Sequence, residues 1–136
     1  MAENKDIQSE INGICTQAII YARSFGKVLD YSDGSIKDLE GILDYYSADI
    51  LKNRPTDRQI WSMALIFGAY LGETVRKNIL SVKGCRWTEV ESDMPILKNA
   101  AGASCAPIHK VCKRLVNGGE ESVISFYDYA KIFLNT

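Results

Sequence analysis

Between Ile60 and Leu80 the residues Ile60, Met63, Ala64, Phe67, Tyr70, Leu71 and Val75 recur at three- and four-residue steps, yet Gly68 and Gly72 interrupt the same stretch. Each glycine costs a helix interior about 1 kcal/mol relative to alanine. A helix that keeps both needs bare backbone there, so that another segment can pack close. The apolar arc is also wider than a surface helix requires. The stretch therefore predicts a central helix touched on more than one side. Glu73 follows Tyr70 at the edge of the arc, with Arg76 and Lys77 towards the C-terminal end.

The flanking segments supply what such a helix packs against. Ile7, Ile11, Ile14, Ala18, Tyr21 and Phe25 form one stripe of a first helix over residues 5–25, with Gly26 as its stop. Leu29-Asp30-Tyr31-Ser32-Asp33-Gly34 is rich in turn formers, and Ser35 suits the N-cap of a second helix whose buried face is Ile36, Leu39, Leu43, Tyr46 and Ile50. Thr56 and Gln59 have the spacing of a capping box at the start of the central helix. After Gly84 the period changes to two: Cys85 to Glu91 alternates, Ser92-Asp93 can turn, and Met94 to Lys98 can return as an edge strand containing Pro95. The small residues from Asn99 to Ala106 read as coil. Pro107 opens a fourth helix with Ile108, Val111, Cys112 and Leu115 inward, and Asn117-Gly118-Gly119 breaks it. A last helix begins at Glu120-Glu121-Ser122 and points Val123, Phe126, Tyr127, Ala130 and Phe133 inward. The expected fold is α+β and helix-dominated: one domain over residues 1–136, about five helices, and a short antiparallel hairpin between helices three and four.

A chain of 136 residues, 46% hydrophobic and 24% charged, can bury a core of its own. A net charge of -1 creates no global basic field, which argues against a nucleic-acid partner. The polar N-terminus and the absence of an apolar run long enough to span a bilayer point away from a membrane and towards the cytoplasm. In that compartment Cys15, Cys85, Cys105 and Cys112 are expected as free thiols.

Three constellations carry possible chemistry. Glu73 and Arg76, three apart on one helix, can meet beside Trp87 and Tyr70 to make a polar binding site, or can form an ordinary surface ion pair. Cys105, His109 and Cys112 are zinc-type ligands, and His109 with either thiol is a nucleophile–base combination. The spacing lacks the Cys-x2-Cys knuckle, so no metal and no cofactor is expected, and no catalytic residue is assigned. Lys110, Lys113 and Arg114 form a small basic cluster expected on a solvated face.

Leu29-Asp30-Tyr31-Ser32, Gly68-Ala69-Tyr70-Leu71-Gly72-Glu73, Trp87, Pro107 with Lys110, Lys113, Arg114 and Leu115, and Gly118 through Tyr127 together resemble an uncharacterised family of small bacterial domains. The resemblance spans residues 25–127. It implies a mainly helical α+β domain from a bacterium and implies no reaction. The chain departs from that pattern in its extra cysteines and in the small-residue run from Ala100 to Ala106, where the resemblance implies a more regular strand.

The functional expectation is a non-enzymatic cytosolic binding protein whose partner is another protein. An immunity protein that occludes a toxin's active site is the specific form, with Asp44, Tyr45, Asp49 and Asp128 as the partner-binding face. The alternative is a small-ligand or metal-binding domain, or an enzyme, with Glu73, Arg76, Trp87 and Tyr70 lining a site between the central helix and the hairpin. A homo-oligomeric subunit using exposed tyrosines is a third reading.

Overall fold

A computed structural model describes residues 6–79, 84–90 and 93–135. The expectations that fall on Lys5, Leu80, Glu91 and Ser92 lie outside these residues. The fold is α+β and helix-dominated, as expected: five α-helices with a small antiparallel sheet between the third and fourth.

Helix α1 (Ile7–Arg23) starts at Asp6, whose carboxylate accepts the Gln8 amide at 3.0 Å, and stops before Gly26 at φ +72°. Helix α2 (Ser35–Asn53) has Gly34 as its N-cap, not Ser35. The Ser35 hydroxyl instead donates to Ser32 O at 2.7 Å and meets the Tyr70 hydroxyl at 2.6 Å, so it serves a tertiary contact. Helix α3 (Asp57–Asn78) opens with the expected capping box between Thr56 and Gln59. From Phe67 to Val75 every residue of α3 is buried, because α1, α4, α5 and the sheet surround it.

The two glycines mark the closest approaches. A Cβ on Gly68 would lie 2.5 Å from the Cα of Ile108, and one on Gly72 would lie 2.4 Å from the Trp87 ring and 2.9 Å from Pro107. Helix α4 (Pro107–Asn117) therefore crosses α3 backbone against backbone at Gly68, and the sheet seats its indole on Gly72.

The sheet contains the expected hairpin, β1 (Cys85–Thr88) and β2 (Ile96–Asn99), and a third short strand, β3 (Ser104–Cys105), where coil is expected from the small residues. Cys85 pairs with Asn99 and Trp87 with Leu97, and these face the core; Arg86 pairs with Lys98 on the outer face. A 3-10 turn at Gly119–Glu121 holds the two acids expected to open the last helix, and Ser122 caps α5 (Val123–Phe133) by accepting from the Ser125 amide.

Candidate functional site

Glu73 is not at the border of the apolar face but fully buried, and its carboxylate is saturated by its own chain. Arg76 grips it with Nε on Oε1 at 2.9 Å and Nη2 on Oε2 at 2.8 Å. Trp87 Nε1 donates to Oε1 at 2.9 Å, and Gln8 of α1 donates to Oε2 at 3.0 Å. Burial pushes the Glu73 carboxyl up, but these donors outweigh it and hold the group below the usual range. Helix α1, helix α3 and the sheet thus meet on one charged group. Gly72 makes this possible, since the bare backbone lets the indole descend far enough to reach the carboxylate.

The structure brings together three of the four residues expected there and sends Tyr70 elsewhere. The Tyr70 hydroxyl accepts from the Tyr31 amide at 2.8 Å and meets Ser35, and its ring stacks on Tyr31 with centroids 5.0 Å apart. Tyr31 has φ +66°, a left-handed conformation that a bulky side chain adopts only under tertiary constraint. That constraint comes from Tyr70 on its amide, Asn78 Nδ2 on its carbonyl at 2.8 Å, and the Lys77 ammonium 5.1 Å over its ring. Tyr70 therefore belongs to the junction between α2 and α3, not to the Glu73 cluster.

Arg114 also departs from expectation. It is 1% exposed, buried under α2 instead of lying on a solvated face with Lys110 and Lys113. Its guanidinium pairs with Glu40 and Asp44, both on α2. The other oxygen of Glu40 accepts from Ser122 Oγ at 2.8 Å and from the amides of Val123 at 2.9 Å and Ile124 at 3.2 Å. Glu40 thereby places a carboxylate on the N-terminus of α5, where the helix dipole favours it. Burial raises its carboxyl, and the bonds from Arg114, Ser122 and Ile124 bring it below the ordinary range. Nothing in the sequence marks Glu40: its partners lie more than seventy residues away along the chain.

Asp44 is thus committed to Arg114, although its side chain remains 66% exposed. Asp128 sits exposed on α5 and does not line the clefts that Tyr45 and Asp49 share. Tyr45 and Asp49 do come together. Helices α1 and α2 flank the N-terminal half of α3 and leave a cleft of about 420 Å³ between them, whose lining includes Tyr21, Tyr46, Asp49, Ile50, Arg58, Met63 and Ile66. At its mouth the rings of Phe25, Tyr45 and Tyr46 meet in pairs at 5.2 to 5.5 Å, each steeply inclined to the others. Tyr45 is 56% exposed. Asp49 accepts from Asn53 at 2.5 Å and has no salt bridge among the described residues, although Arg58 and Lys52 line the adjoining clefts. An ordered aromatic corner beside a carboxylate that forms no salt bridge among the described residues attracts a cation with an apolar stem.

The zinc-type residues part company. His109 Nε2 lies 2.7 Å from Asp93 Oδ1, and its ring stands edge-on to Trp61 at 5.5 Å. Among the described residues no group of three or more His, Cys, Asp or Glu side chains is placed to hold a metal ion. The four cysteines are free thiols, and burial pushes Cys85 up to about 11 and Cys15 and Cys105 up to about 12. Native thiols of this kind are poor nucleophiles. No helix among the described residues is long and apolar enough to cross a membrane. No family model matches the chain, nor does any curated protein or solved structure.

Proposed function

We propose that this protein acts by binding another protein through the cleft between α1, α2 and α3. The observation that carries the reading is the corner of Phe25, Tyr45 and Tyr46, in which Tyr45 is exposed and packed ring to ring on the half-buried Phe25 and Tyr46, at the mouth of an apolar cleft beside Asp49. Exposed aromatics held in place lose little conformational entropy on association, which is why such residues anchor interfaces. The partner presents an apolar segment to Ile50, Met63 and Ile66 and a lysine or arginine to the aromatic corner and Asp49.

The narrower form of this proposal is a cytosolic bacterial immunity protein, from a family of small standalone domains, that covers a toxin's active site. The basic side chain required by Asp49 suits a basic toxin. The Glu73 cluster supports the binding reading indirectly, because all the donors around that carboxylate come from the chain itself and hold three elements together.

The test is affinity capture from the native host with wild type, Tyr45→Ala and Asp49→Lys, each checked for unchanged thermal stability. One protein retained by wild type and lost with both variants supports the proposal. Equal retention by all three removes the cleft from consideration. For the immunity form, a toxin gene beside this one in several genomes is the expected result, and its absence from a broad survey counts against it.

A further inference from the structure

The outer face of the sheet holds two cations in register. Arg86 on β1 is the direct cross-strand partner of Lys98 on β2, and both side chains are exposed. Directly opposed residues of an antiparallel pair have Cβ atoms only about 4.5–5.5 Å apart, so like charges there repel and destabilise the sheet. Neither head group has a hydrogen bond or ion pair among the described residues.

The same two side chains line a cleft of about 600 Å³ with Gly84, Cys85, Thr88, Asn99, Ala100 and Gly102, and no acidic residue is among its described lining. Gly84 and Gly102, at φ +62° and +93°, carry the chain around the rim without side chains, so one end of the cleft is framed by backbone. A pocket of that volume lies within the range that encloses small ligands.

From this geometry we infer that the cleft is a binding site for a small phosphomonoester. Two adjacent cations match the two charges of a phosphate dianion, whereas a carboxylate would leave one cation unbalanced. The Arg86 guanidinium offers paired N–H donors to two phosphate oxygens, Lys98 adds a point charge, and the Thr88 hydroxyl is a further donor on the same wall. Binding converts the repulsion across β1 and β2 into a shared attraction, so occupancy stiffens the sheet. The site lies away from the aromatic cleft, which is built on the opposite, N-terminal half of α3, and stands whether or not that cleft binds a protein.

The experiment is an amide-resolved NMR titration of the full chain at constant ionic strength, with inorganic phosphate and adenosine monophosphate as separate ligands and chloride as control. Saturable shifts confined to residues 84–88 and 98–102 are expected, with affinity falling about tenfold or more in Arg86→Gln and in Lys98→Glu. Lys98→Glu relieves the repulsion and should melt no lower than wild type, so its loss of binding is not a loss of fold. Tighter binding of the nucleotide assigns the remaining cleft volume to an organic moiety; equal binding assigns the site to the phosphoryl group alone. Shifts that do not saturate, or that are unchanged in both variants, overturn the inference.

Discussion

Alanine at each of four helical glycines separates the reasoning about α3 from general helix propensity. Replacing a mid-helix glycine by alanine gains about 0.5–1 kcal/mol where nothing obstructs the new methyl group. Gly13 in α1 and Gly41 in α2 are such positions, with no atom within 4 Å of an added Cβ. At Gly68 the new Cβ would lie 2.5 Å from Ile108 Cα and 3.0 Å from its Cγ1, so the backbone of α4 must retreat by roughly 1 Å to restore ordinary contact near 3.5–4.0 Å. Overpacking of this kind costs about 1–3 kcal/mol, and a backbone obstacle belongs at the upper end. After the propensity gain, Gly68→Ala should lose about 1–2 kcal/mol. At Gly72 the obstacles are the Trp87 ring at 2.4 Å and Pro107 at 2.9 Å, and tilting the indole also lengthens its bond to Glu73, so a similar or larger loss is expected. Urea denaturation followed by far-UV circular dichroism reads all four variants on one scale. Gly13→Ala and Gly41→Ala should raise the midpoint while the other two lower it. Gly68→Ala at or above wild-type stability would refute the close crossing of α3 and α4.

Acid unfolding should depend on Glu73. Its folded carboxyl titrates below the unfolded value near 4.3, so its contribution is present above that pH and is lost as pH falls through the folded value. Glu73→Gln should therefore cost about 2–3 kcal/mol at pH 7 and flatten the fall in stability below pH 4.5, measured by denaturant midpoints at several pH values. Arg114→Ala, which strands Glu40 beneath α4, should cost about 3–5 kcal/mol, and Arg114→Met appreciably less when paired with Glu40→Gln; thermal melts of the single and double variants check this. Cys15, Cys85 and Cys105 should resist a thiol-specific reagent at pH 8 in the native protein, whereas all four thiols react at once in denaturant; counting titrated thiols distinguishes the two states.

What was legible in the chain was whatever is encoded within a few residues. The capping box at Thr56 and Gln59, the stop at Gly26, proline at the first turn of α4 and the bare glycines of α3 are local signals, and each has its expected structural counterpart. The meeting of Glu73, Arg76 and Trp87 was also readable, because two of them share a helix face and the third opens the next element. Its burial was not, since that depends on Gln8 arriving from α1. Strand β3 has two residues, too few for a period, and exists only through pairing with β2. Arg114 looked like a surface cation because its neighbours Lys110 and Lys113 are basic, while the carboxylates that bury it come from α2. The aromatic cleft is a property of how two helices flank a third, and no single segment records it.

Helix α3 has a further consequence through its length. Its 22 residues extend about 33 Å, with the aromatic cleft built on the first half and the sheet seated on the second. Residues so far apart share no partners, so substitutions at the two ends should combine additively. The middle turns, where neighbours crowd from every side, are where sequence drift meets resistance; either end can be recoloured for a new partner without consulting the other. A chain built this way can change what it recognises at one pole while the opposite pole keeps its own address.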